Sequence, residues 1–190
     1  PYIEHGINSL ETIMRDKERG GWYKEVSGKN QIDTSKTCYE LAFIILATST
    51  ATPTNTRAKV LLEDALAIFD RYFWLPKANM AADSWDKSFS KLDPYRGANA
   101  NMHTVEALLA AYESTGDSLW LNRALAITKN VFTWAKDRHN MLIAEHYDEQ
   151  WQTLKDFNLE NPADPFRPYG TCVGHLYEWS RLAIQISRAL

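Results

Sequence analysis

Apolar residues recur at helical spacing through six separate stretches of the chain, roughly residues 2–15, 35–50, 56–73, 99–115, 118–137 and 173–189. No alternating run long enough for a core strand competes with them, so the expected fold class is all-α. The residues between the stretches agree with helix ends. Ser35 is placed to cap the second helix, Thr54 precedes the third, Pro76 follows it, and Gly116-Asp117 separates the fourth from the fifth. Two short hairpins are expected as decorations at helix ends. Gly20-Gly21-Trp22-Tyr23 ahead of Gly28 would turn one, and Met141 to Trp151 would form the other.

The second, fourth and sixth helices begin near residues 36, 101 and 173, a spacing of roughly 70 residues that suggests a repeated helical hairpin with long loops. In such a repeat, alternate helices run antiparallel, and the even helices present their N-termini on one face. At those N-termini stand Tyr39 on the first, Asn99 and His103 on the second, and His175 and Glu178 on the third. Asn99 and His103 are related as i,i+4 and His175 and Glu178 as i,i+3, so each pair shares a helix face and can act on one ligand. Loops bring Trp85, Tyr95, Phe166 and Arg167 to the same mouth. Aromatic rings and amides together suit the faces and hydroxyls of a sugar.

Composition narrows the function classes. At 190 residues the chain is expected to form a single domain over 1–190. Lys and Arg total 21 against 24 Asp and Glu, and no basic block interleaves with aromatics, so no nucleic-acid or membrane partner is expected. No apolar run approaches the length of a membrane span. The two cysteines, Cys38 and Cys172, lack metal-type spacing and suit a reducing compartment, so a cytoplasmic enzyme without a structural metal is expected. Cys38 is expected to be a buried inert thiol.

The run Tyr95-Arg96-Gly97-Ala98-Asn99-Ala100-Asn101-Met102-His103-Thr104-Val105-Glu106-Ala107 resembles a motif of the N-acylglucosamine 2-epimerase superfamily. Asn161-Pro162-Ala163-Asp164-Pro165-Phe166-Arg167-Pro168-Tyr169-Gly170, then Gly174-His175 and Glu178-Trp179, resembles its aldose–ketose isomerase branch. Glu145-His146-Tyr147-Asp148, Ser35-Lys36 and Tyr39 extend the similarity over essentially the whole chain. The resemblance implies an (α/α)6 barrel of twelve helices, of which the six here make about half. It also implies conversion of an aldose to a ketose, D-mannose to D-fructose, by histidine acid/base transfer through a cis-enediol, with no metal or other cofactor. By similarity His175 is one acid/base, Glu178 orients it, and His103 assists ring opening. Tyr39, Asn99 and Arg167 bind hydroxyls, Arg167 also stabilising the enediolate, and the second catalytic histidine belongs to the other half. Pro165 stands where sulfonate-sugar isomerases carry an additional Arg, which removes a sulfonate ligand.

Other readings follow from the same residues. His103 could be a core histidine among Met102, Val105 and Leu108, Asn99 a helix cap, and Arg96 a loop brace paired with Asp93 or Glu106. The Glu145 to Asp148 segment is expected to brace the mouth as a hairpin rather than bind a metal. Barrels of this kind also host glycoside hydrolases, for which Asp83 with Asp86 or Glu145 with Asp148 could be drafted. A sugar 2-epimerase and a non-catalytic sugar-binding fragment are the remaining alternatives. An open row of helices would leave an apolar cut edge, favouring a homo-oligomer.

Overall fold

The computed structural model describes residues 2–190. It contains six α-helices: α1 (Tyr2–Thr12), α2 (Cys38–Ala51), α3 (Thr56–Ile68), α4 (Ala98–Thr115), α5 (Ser118–Arg138) and α6 (Val173–Ala189). The expected length of the third is made up by a π-helical turn, Phe69–Phe73, that follows α3 directly. Eight strands of two to four residues lie in the connections: β1 (Glu25–Ser27), β2 (Asn30–Asp33), β3 (Lys36–Thr37), β4 (Trp74–Leu75), β5 (Met80–Ala81), β6 (Ser84–Trp85), β7 (Arg96–Gly97) and β8 (His146–Tyr147). They pair two by two, all antiparallel.

The outer helices are capped locally. Asn55 accepts the Ala58 N–H at the start of α3, and Asp117 accepts the Leu119 N–H at the start of α5. Gly116 closes α4 in the left-handed region, at φ 72°, where a side chain would be strained. The inner helices are capped from a distance. The Cys38 N–H of α2 donates to the Asp83 carbonyl at 2.8 Å, and the Ala98 N–H of α4 to the Glu145 carbonyl at 2.9 Å. At the start of α6 the Cys172 N–H donates to Glu145 Oε1 at 3.2 Å. Each long loop thus satisfies the orphan donors of an inner helix, which draws the three N-termini to one mouth.

This arrangement corrects two local expectations. Thr37, not Ser35, precedes α2, because Lys36 and Thr37 pair with Trp85 and Ser84 while the Ser35 hydroxyl bonds Asp33. The turn expected at Gly20-Gly21 is present, both residues at positive φ and closed by an isolated antiparallel bridge between Arg15 and Trp22, and a second turn at Gly28 joins β1 to β2. The hairpin expected over Met141 to Trp151 is not formed as such: β8 pairs with β7, some fifty residues earlier in the chain, and the local turn closes later, where an isolated antiparallel bridge joins Tyr147 to Thr153.

The core forms where α2 packs on α4 and α4 on α6, with α3 and α5 behind them and α1 against α2 and α3. Ile45, Leu62, Val105, Leu108, Ile127, Trp179 and Leu182 are buried in one cluster. Each contributes about 1.5–3 kcal/mol relative to exposure. Asn101 ties the loops to this core. Its Oδ1 accepts the Ala81 N–H at 2.8 Å, and its Nδ2 donates to the Ala81 and Gly97 carbonyls. Lys36 and Asp16 form a fully buried ion pair at 2.8 Å, with the ammonium also over the Tyr23 ring.

Candidate active site

In the first two turns of α2 and α4, the rings of Tyr39, Phe43 and His103 meet edge on or tilted, with centroids 4.8–5.1 Å apart. His103 is therefore not a member of the core, where Met102, Val105 and Leu108 are buried. Its Nδ1 lies 3.2 Å from Glu106, whose other oxygen accepts from Arg181 of α6 at 2.6 Å. Burial alone would raise the Glu106 carboxyl, but the hydrogen bonds from Arg181 and His103 outweigh it and hold the group below the usual range. The imidazole of His103 thus sits on an anionic anchor beside a phenol.

His175, in the first turn of α6, is oriented by a carboxylate, and that carboxylate is Glu145 rather than Glu178. The His175 Nδ1 donates to Glu145 Oε2 at 2.9 Å, and Glu145 is buried. A carboxylate accepts only, so the partner fixes the proton on Nδ1 and leaves Nε2 as the nitrogen free to exchange protons. This bond raises the His175 pKa, against the effect of desolvation. Glu178, one turn later, acts on His175 and Tyr39 only through its charge.

The loop carrying Arg167 is pinned from three sides. Arg167 Nη2 donates to Asp83 at 3.2 Å, and its guanidinium lies 4.0 Å from the centre of the Tyr95 ring. The Asn158 amide donates to the Arg167 carbonyl. His146 Nε2 lies 2.7 Å from the Pro168 carbonyl, and Nδ1 lies 2.7 Å from the Tyr95 hydroxyl. A carbonyl cannot donate, so Nε2–H donates to it, and Nδ1 accepts from Tyr95 in the neutral ring. Burial lowers the His146 pKa and favours that neutral form. His146 is thereby a structural pin. Burial pushes Asp83 up to about 6, although Arg167 pulls it back in part. A Cβ at Gly97 would come within 2.8 Å of Asp83 Oδ2, which explains glycine there.

Tyr39, Asn99 and Arg167 share the wall of one cavity of about 650 Å³, within the range of small-molecule sites. Asn99 is no helix cap: α4 is preceded by Gly97, and the Asn99 amide donates at 3.4 Å to the carbonyl of Phe166. Arg96 braces its loop through the carbonyls of Asp93 and Tyr95, not through a carboxylate. His103 adjoins the cavity through the Tyr39 ring, whereas His175 and Glu178 lie outside its wall. The carboxylate pairs drafted for hydrolysis are otherwise engaged. Asp86 accepts backbone and hydroxyl donors of Ser88, Ser90 and Lys91, and Asp148 accepts from the amides of Gln150 and Gln152. Cys38 is buried, its Sγ 3.2 Å from Thr104 Oγ1, and its thiol is pushed up to about 12 by desolvation.

The profile of the N-acylglucosamine 2-epimerase (GlcNAc 2-epimerase) family matches residues 1–190. The chain belongs to this family. Within it, the chain is 38% identical over 189 residues to a D-mannose isomerase of Thermobifida fusca, covering 98% of this chain and 46% of the relative. It is 41% identical over 191 residues to a D-mannose isomerase of Pseudomonas cannabina pv. alisalensis, covering 98% of this chain and 45% of that one. The chain spans about half the length of these curated relatives. A crystal structure of a D-mannose isomerase superposes with a TM-score of 0.92 at 33% identity, over 98% of this chain and 48% of the other. A cellobiose 2-epimerase of Bacillus thermoamylovorans B4167 shares the fold, with a TM-score of 0.74 at 13% identity, over 97% and 52% of the two chains. The all-α plan and its likeness to about half of a helical barrel are thus established. None of the helices described is long and apolar enough to cross a membrane.

Proposed function

We propose that these residues form the substrate-binding and first acid/base portion of an aldose–ketose isomerase that converts D-mannose to D-fructose, the single partial-barrel domain running over 1–190. The observation that carries this reading is the Glu145–His175 pair, a buried carboxylate fixing one tautomer of an imidazole at an inner-helix N-terminus. Isomerisation needs a group that takes a proton from C2 of the open sugar and another that delivers one to C1 of the enediol. Imidazole is suited to this near neutral pH. His175 uses Nε2 for one of these transfers, with Glu145 stabilising the imidazolium as it forms. His103, held by Glu106, hydrogen-bonds the ring oxygen or O1 as the ring opens. Tyr39 and Asn99 bind hydroxyls, and Arg167 faces the negative charge that develops on the enediolate.

The test is proton NMR of D-mannose in D2O with the intact protein. Ketose should form with deuterium entering at carbon, and His175→Ala should slow turnover by at least about a hundredfold. Turnover of that variant within about tenfold of the parent, roughly 1.4 kcal/mol of barrier, would remove His175 from the chemistry.

A further inference from the structure

The cavity has a second wall that the isomerase reading does not use. Thr37 precedes α2, Glu40 is in its first turn, and both line the cavity. Three residues of the lining hold a buried oxygen with no hydrogen-bond partner: Thr37 Oγ1, Glu40 Oε2 and Asn99 Oδ1. Buried polar atoms are nearly always paired, so three orphans around one cavity point to partners supplied from outside the chain. Their chemistry says which partners. The Asn99 oxygen only accepts, Glu40 accepts when ionised although burial raises its carboxyl pKa, and the Thr37 hydroxyl can accept as well as donate. Of the three cations in the lining, Arg167 is committed to Asp83 and Lys24 to Asp33 at 3.0 Å, which leaves Lys91. Among the described residues no three His, Cys, Asp or Glu side chains are grouped to hold a cation. Clustered acceptors that are not a cation cage are matched by O–H donors on a neutral, polyhydroxylated ligand.

We propose that Thr37 and Glu40, together with Asn99, form a hydroxyl-binding wall that holds the sugar at positions away from the reacting carbons. The choice of D-mannose as probe rests on the isomerase reading, while the wall itself rests on the orphaned oxygens. Glu40→Gln replaces one accepting oxygen by a donating amide, and Thr37→Val removes one hydroxyl at nearly constant shape. In the intact protein each should raise KM for D-mannose at least fivefold, with a smaller change in kcat. His175→Ala should do the reverse, lowering kcat with sugar binding retained. Thr37→Val covers the case in which Glu40→Gln fails to fold, judged by circular dichroism. KM within twofold of the parent in the folded variants would show that water fills the wall, and would overturn the proposal. If the intact protein forms no ketose, the isomerase reading falls, and calorimetric titration with D-mannose still decides this one. Weaker binding in the two variants would uphold the wall. Binding that is unchanged by them, or absent in the parent, would overturn it.

Discussion

Replacing Glu145 by Gln keeps the size of the side chain and removes the charge that sets the proton on His175. If the pair works as derived, kcat should fall at least about tenfold, the order of loss known for partners that orient metal-bound histidines. The pH profile should move too. Glu145 raises the folded-state pKa of His175 above its unfolded value. The pair's contribution to stability is therefore complete below about pH 6.5, the ordinary imidazole value, and is lost as pH rises through the raised folded value. Glu145→Gln should bring the His175 titration, followed by NMR of the imidazole protons, to lower pH. A titration that does not move would dissociate the two residues. Asp83 carries the same sign from a different cause, burial rather than a partner's charge. Its pKa is pushed up to about 6 from 3.8, so the native state holds its proton more tightly than the unfolded chain does. Stability then falls as pH rises between about 4 and 6, by roughly 2–3 kcal/mol for this group. The stability difference between parent and Asp83→Asn, from urea unfolding, should change by about that amount across the window. A flat difference would mean that Asp83 ionises normally. Neither partnership was legible in the sequence, because Glu145 meets His175 across 30 residues and Asp83 meets Arg167 across 84. The helix-face rule that joined His175 to Glu178 sees only neighbours three and four apart.

Of the helices, α4, α5 and α6 were legible almost to the residue, since they have both long apolar faces and clear boundaries such as Gly116-Asp117, whereas one end of α1, α2 and α3 lay three to five residues from its expected place. What local pattern missed were the short strands, which are specified by loops that cap distant helices. The β7–β8 pair is an example: its two residues per strand carry no periodicity, yet it brings the Glu145 carbonyl to the start of α4. Asn101 has the same character. In sequence it is one more polar residue within a helix, but in the fold it is buried and bonds three backbone groups of β5 and β7. Asn101→Ala should leave those groups unpaired and cost about 2–4 kcal/mol, a penalty summed over buried polar groups that lose their partner. Because the same bonds hold Gly97 and β7, activity should fall in parallel with stability, even at temperatures where the variant remains folded. Chemical denaturation alongside the mannose assay would check both. A loss under about 0.5 kcal/mol, the range of ordinary surface substitutions, would show that Asn101 does not tie loop to helix.

At the scale of the whole molecule, the inner row ends on an uncovered face. Val173, Tyr177 and Ile184 project from α6 with 64%, 76% and 55% of their surface exposed, and their spacing of four and seven residues sets them along one stripe. Beside them a groove of about 430 Å³ runs between α5 and α6, lined by Leu125, Phe132, Ile186 and Leu190. Contiguous apolar surface of this kind marks a place where another surface packs. The relatives are about twice as long as this chain, and the length they have beyond it is the expected source of such a surface. The 190 residues expressed by themselves should therefore associate through this face, with a sedimentation coefficient that rises with concentration. Tyr177→Lys combined with Ile184→Lys should reduce that association without loss of helical circular dichroism, because both side chains are largely solvent-exposed within these 190 residues. In the intact protein the same pair of changes should have the contrary effect and lower stability by several kcal/mol, as expected for charges forced into a buried contact. A parent piece that sediments as a monomer at every concentration, or an intact double variant as stable as its parent, would show that this face stays in water.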